Sequence, residues 1–109
     1  MVLTLKPLKF LGSSRDDLRA MPAAARHALG VELMLVQFGS MPSNFKPMPG
    51  VGMGASEIRV RGQLGAFRVI YVAKFADAVY VLHAFRKKTR KTAKADLDLA
   101  AHRYKLIGG

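Results

Sequence analysis

The chain has no cysteine and no tryptophan, and only 7 aspartates and glutamates stand against 18 lysines and arginines. Without thiols it has neither a disulfide framework nor a thiolate metal site, which suits a reducing compartment. The scarcity of acid leaves a formal net charge of +11, and a chain charged so strongly is suited to polyanions. No segment approaches the ~20 consecutive apolar residues needed to span a bilayer. Lys6, Pro7 and Lys9 interrupt the apolar start, so no signal peptide is expected either. His27, His83 and His102 share no ligand spacing, and no serine has a base near it in sequence. Neither a metal nor a cofactor is therefore expected, nor any membrane contact, and the expected location is cytoplasmic.

What is present fits one compact domain over residues 1–109, with half of the residues hydrophobic. The charge is uneven. Residues 1–56 hold six Lys/Arg and three Asp/Glu, whereas residues 57–109 hold twelve and four. The second half is the expected contact surface.

Residues 2 to 11 alternate loosely and end at Gly12, which predicts a first strand. Ser13 and Ser14 offer N-cap hydroxyls, and Asp16 and Asp17 place carboxylates in a first helical turn. This short helix should run to about Met21, with Pro22 stopping it and starting the next. From Ala23 to Phe38, the residues Ala25, Leu29, Leu33 and Val36 recur at helical spacing, and Gly39 closes the segment. The stretch from Gly39 to Gly54 carries Pro42, Pro47, Pro49 and four glycines, so it predicts a long loop that wraps the core or serves a partner. Its Gly50-Val51-Gly52-Met53-Gly54 resembles a phosphate-cradling loop only superficially, because a strand and not a helix follows it.

Strands are predicted over Glu57–Arg61, Phe67–Ala73 and Val79–Phe85, joined by a hairpin loop at Gly62–Gly65 and a turn around Asp77. A final helix follows, capped by Thr92, with Ala93, Leu97, Ala100, Ala101 and Tyr104 on its core side. The order is β-α-α-β-β-β-α. The fold class is α+β, an antiparallel sheet packed against an N-terminal helical hairpin and a C-terminal helix.

Directly paired residues of antiparallel strands share a face. A four-residue loop at Gly62–Gly65 sets Arg59 opposite Arg68 and Arg61 opposite Ala66. If Ala73 opposes Ala78, then Arg68 opposes His83. One face would present Arg59, Arg61, Arg68, His83 and Lys87 together, an arrangement of like charges that calls for a compensating anion. Beyond it runs Arg86-Lys87-Lys88-Thr89-Arg90-Lys91-Thr92-Ala93-Lys94, with six cations in nine residues. The bland alternatives are a solvated polar strand face, a core histidine at His83 and a solvated basic tail. Tyr71, Tyr80 and Phe67 are expected in the core.

A cationic pocket of this kind can act on RNA. Attack of a 2′-hydroxyl on the neighbouring phosphorus needs a proton acceptor, stabilisation of the added negative charge and a proton for the leaving 5′-oxygen. Arginines serve the second need. For proton transfer the candidates are His83, Lys87, Lys88 and Glu57.

Glu57-Ile-Arg-Val-Arg-Gly, Phe67-Arg-Val-Ile-Tyr and Tyr80-Val-Leu-His-Ala-Phe-Arg-Lys-Lys-Thr-Arg-Lys-Thr together resemble the phage-derived, HigB-like branch of the RelE/ParE toxin superfamily. The resemblance covers nearly the whole chain. It implies a type II toxin that cleaves mRNA in the ribosomal A site, in contact with 16S-type rRNA, and that a helix-turn-helix antitoxin silences. By the same resemblance Arg59 grips and activates the RNA, Arg68 stabilises the scissile phosphate and Lys87 lies near the leaving group. Glu57 takes a position where a RelE-type toxin has lysine, residues 86 to 101 lack the stacking tyrosine, and His83 is the candidate substitute in proton transfer. Arg61, Arg86, Lys88, Arg90, Lys91 and Lys94 are expected to add RNA contacts. Two other functions remain compatible: a ParE-like poison of DNA gyrase and a basic nucleic-acid-binding module without activity.

Overall fold

The computed structural model describes residues 5–107, so the first residues of the expected strand, 2 to 4, lie outside the described part. The elements are β1 (Leu8–Phe10), α1 (Ser14–Arg19), α2 (Ala23–Gln37), β2 (Phe45–Pro47), β3 (Ala55–Gly62), β4 (Gly65–Val72), β5 (Val79–Lys87) and α3 (Lys94–Lys105). They form an α+β fold around one five-stranded sheet of order β1-β5-β4-β3-β2.

Helix α2 buries Ala25, Leu29, Leu33 and Val36, the stripe read from the spacing, against Ile58, Val69, Tyr71 and Val81 of the sheet. Its C-terminus closes as a Schellman turn, with the Ser40 amide on the Leu35 carbonyl and the Gly39 amide on that of Val36. Gly39 stands at φ +87°, which is why glycine occupies that place. On the other face α3 packs Leu97, Ala100 and Tyr104 over Ile70, Val72, Leu82 and Phe85. The centre of the sheet is therefore covered on both sides.

Three expectations need correction. The sheet is mixed: β1 pairs with β5 in parallel through Leu8↔Val79 and Phe10↔Val81, because the α1–α2 hairpin carries the chain across the sheet between them. The long loop is not wholly irregular. Phe45–Pro47 pairs as edge strand β2 with β3, and proline is tolerated there because an edge strand has amides that no neighbour uses. The rest of the loop wraps the core: Val51 is buried, and Tyr104 donates to the Met53 carbonyl at 2.7 Å. Finally, Thr92 does not cap α3; the N-cap is Ala93, without a side-chain bond, and the Thr92 hydroxyl is spent elsewhere.

The β4–β5 register also departs from expectation. Arg68 lies opposite Phe85, and His83 lies opposite Ile70. The turn is one residue longer than supposed, and a bulge at Leu82 inserts another between the Tyr71↔Val81 and Ile70↔His83 pairs. Two odd shifts sum to an even one, so residues 83, 85 and 87 still share the face of Arg59 and Arg68. Arg103 of α3, buried, donates to the Leu82 carbonyl at 2.9 Å and to Ser13 Oγ at 3.2 Å, taking up an acceptor that the bulge frees from the ladder.

Candidate active site

The hairpin of β3 and β4 closes through Gly62↔Gly65 and holds Arg59↔Arg68 and Arg61↔Ala66 in direct register, as the loop length predicted. Ile58 and Val60 turn towards α2, so Glu57, Arg59 and Arg61 turn the other way. Strand β5 adds Lys87 opposite Ala66 on the same face. Arg59, Arg61, Arg68 and Lys87 are thus brought together at the end of the sheet that α3 leaves open.

At their centre lies Glu57, 2% exposed. Its two oxygens divide the work. Oε1 faces Arg68 Nε at 3.5 Å and Arg59 Nε at 3.9 Å, while Oε2 accepts from Thr92 Oγ1 at 2.7 Å. A buried carboxylate needs such partners, and here two cations and one hydroxyl supply them. Arg68 is itself 4% exposed. Its Nη1 donates to the Phe67 carbonyl at 3.1 Å, and its buried Nε has no hydrogen-bond acceptor.

Two clefts open here, and Arg59 lines both. One, of about 300 Å³, is lined by Asn44, Arg59, Val60, Arg61 and Arg68. The other, of about 380 Å³, lies between Lys46, Glu57, Lys87, Arg90, Lys91 and Thr92. Burial lowers the pKa of Arg68, Glu57 opposes the shift, and Arg59 and Arg61 reinforce it. The Lys87 ammonium is likewise pushed below the ordinary lysine range, first by desolvation and then by the charges of Arg68 and Arg59. Glu57 partly offsets that push.

The remaining candidates separate from this group. His83 is buried under α3, stacks on Phe85 with centroids 4.6 Å apart, and shares a 2.7 Å hydrogen bond with Asp96 through Nε2. Arg86 points to the opposite face over the Phe67 ring, at 5.8 Å from its centroid. Together with Lys88 both border a third cleft of about 750 Å³, along the outer edge of β5 against α1. Lys94 is exposed and pairs with Asp98. Of the basic run, then, Lys87, Arg90 and Lys91 face the arginine clefts.

Sequence reasoning names Glu57 as a candidate for proton transfer but does not count it in the arginine cluster, and it does not single out Asn44 or Lys46. The period-2 pattern placed Glu57 on the face of the arginines, and that signal was available. Asn44 and Lys46 come from the Pro- and Gly-rich stretch, whose pairing with β3 no local pattern reveals; the Arg59 amide donates to the Asn44 carbonyl at 3.0 Å.

Among the described residues no cluster of three or more His, Asp or Glu is placed to hold a metal ion, and no helix is long and apolar enough to cross a membrane.

No curated protein matches the chain. A solved structure of the E. coli toxin RelE, a double arginine-to-alanine mutant in the free state, is similar to it with a TM-score of 0.65 and 18% identity, over 94% of this chain and 98% of that one. The fold is thus that of RelE. Residues 16–105 match the model of the family described as Phage derived protein Gp49-like (DUF891). With that match spanning most of α1 and every element from α2 to α3, the chain belongs to the phage-derived Gp49-like family.

Proposed function

We propose that this protein is the toxin of a toxin–antitoxin pair and acts as an endoribonuclease on mRNA engaged with the ribosome. The observation that carries this reading is the convergence of Arg59, Arg61, Arg68 and Lys87 on clefts that hold a single carboxylate, a charge excess that a phosphodiester neutralises. A RelE fold and membership of the Gp49-like family support the toxin reading, for which a cognate antitoxin is the expected partner.

In this reading Arg59 and Arg61 grip the backbone, and Arg68 meets the charge that develops on phosphorus. Its fixed position, held by the Phe67 carbonyl and by Glu57, means that little reorganisation is needed at the moment of reaction. Lys87 is the proton donor to the leaving 5′-oxygen. Its lowered pKa makes the ammonium a stronger acid than an ordinary lysine, which is what that role asks of it. Arg90 and Lys91 add contacts to the RNA or the ribosome. His83, tied to Asp96, serves the packing of α3.

The test is induction of wild type, Arg68→Ala and Lys87→Ala in growing cells, with transcripts mapped by primer extension. Cleavage and growth arrest are expected in wild type, with each variant slower by about 10²–10³-fold, the usual cost of one transition-state donor. Arrest with intact transcripts and damaged DNA would replace the nuclease by a gyrase poison. Salt-sensitive RNA binding with no cleavage would leave a binding module.

A further inference from the structure

The proposed reaction needs an acceptor for the 2′-hydroxyl proton, and the clefts contain one group suited to it. Glu57 Oε2 already receives a hydroxyl, that of Thr92, at 2.7 Å, while Oε1 is left to the two arginines. The carboxylate is thus held on one side by cations and offers the other to an alcohol. Thr92 lies between β5 and α3, outside both, and α3 begins without using it as a cap. Its hydroxyl is therefore not needed by the helix.

Resting on the endoribonuclease reading, we propose that Glu57 Oε2 is the acceptor for the ribose 2′-hydroxyl beside the scissile phosphate, and that Thr92 Oγ1 fills that place until RNA displaces it. The neighbouring cleft of Asn44, Arg59, Arg61 and Arg68 receives the phosphate. Arg59, common to both clefts, spans the two parts of one nucleotide step. As the 2′-oxygen forms its bond to phosphorus, its proton passes to Oε2. The bond from phosphorus to the 5′-oxygen breaks, and that oxygen takes a proton from the Lys87 ammonium. The products are a 2′,3′-cyclic phosphate and a 5′-hydroxyl end.

The same contact selects the nucleic acid. DNA has no hydroxyl to give to Oε2, so with DNA the Thr92 hydroxyl stays in place and the sugar gains no contact there. Preference for RNA is then set by Glu57 and Thr92, and overall affinity by the arginines.

Fluorescence anisotropy of the full chain with matched RNA and DNA oligonucleotides tests this, together with cleavage of ribosome-bound mRNA by the same preparations. Wild type is expected to prefer RNA only modestly, because the 2′-hydroxyl must first displace that of Thr92 from the carboxylate. Glu57→Gln should cleave at least about 100-fold more slowly, the loss of a proton acceptor, while still binding both strands. Thr92→Ala keeps Glu57 and its arginines, so it reports even where Glu57→Gln fails to fold; it should bind RNA severalfold tighter and leave DNA unchanged. Wild-type cleavage by Glu57→Gln, or tightening of RNA and DNA alike by Thr92→Ala, would overturn the assignment while the nuclease stands on Arg68→Ala. Loss of cleavage in none of these variants would sink the nuclease itself.

Discussion

The clefts on either side of the N-terminal end of α3 are built from similar residue types and differ in how charge is balanced. On the β3 side Lys46, Arg59, Arg61, Arg68, Lys87, Arg90 and Lys91 surround Glu57. At the outer edge of β5, Arg86, Lys88 and His83 stand with Asp17 and Asp96, and the apolar Met21, Pro22, Phe67 and Phe85 form much of the wall. The outer cleft sets two cations against two carboxylates, with His83 bonded to Asp96 and Arg86 lying over the Phe67 ring. The inner one is left cationic. A basic residue is thus informative about function where its neighbours fail to neutralise it, and much less so where they succeed.

The contrast breaks most visibly in catalysis. Arg68→Ala should reduce transcript cleavage by about 10²–10³-fold, whereas His83→Phe, on the other side of α3, should leave it within about threefold. Equal losses in the two variants would erase the distinction between the clefts. A pH profile sharpens it next. Because its pKa is lowered, Lys87 gives up its proton at a lower pH than a free lysine, so single-turnover cleavage should decline as pH rises through that lowered value. The decline should approach tenfold per pH unit, begin below the ordinary value of about 10.4, and be absent from the residual rate of Lys87→Met.

Stability runs the other way. His83→Phe removes the bond to Asp96 and should cost about 1–3 kcal/mol, several degrees in thermal melts. Arg61→Ala, at an exposed position on the rim, should leave the melt unchanged. The smallest effect is in the salt dependence of RNA binding: Arg61→Ala should reduce the slope of log affinity against log salt by about one, and Lys94→Ala, already paired with Asp98, by less.

Local pattern made the helices and the central hairpin legible. The stripe Ala25, Leu29, Leu33, Val36 is the buried face of α2, and the two-glycine hairpin set Arg59 against Arg68 because a short loop leaves one register. Farther from such a constraint the local pattern no longer fixes the register. The β4–β5 turn is one residue longer than the local pattern predicts, and only the bulge at Leu82, whose carbonyl Arg103 takes up from α3, returns Lys87 to the face of the arginines. The parallel pairing of β1 and the capture of β2 at the sheet edge rest on contacts between residues far apart in sequence.

By itself, then, the sequence determined the excess of positive charge, the strands that carry it and the alternation that turns Glu57, Arg59 and Arg61 to one side. Those properties follow from composition and from a repeat of two residues, which any single strand obeys. Only the tertiary structure decided that Glu57 is buried between Arg68 and Thr92, that Asn44 and Lys46 join the site, and that His83 leaves it for Asp96. Burial and pairing across the sheet depend on how β2, β5 and α3 meet, and no stretch of chain holds that information alone.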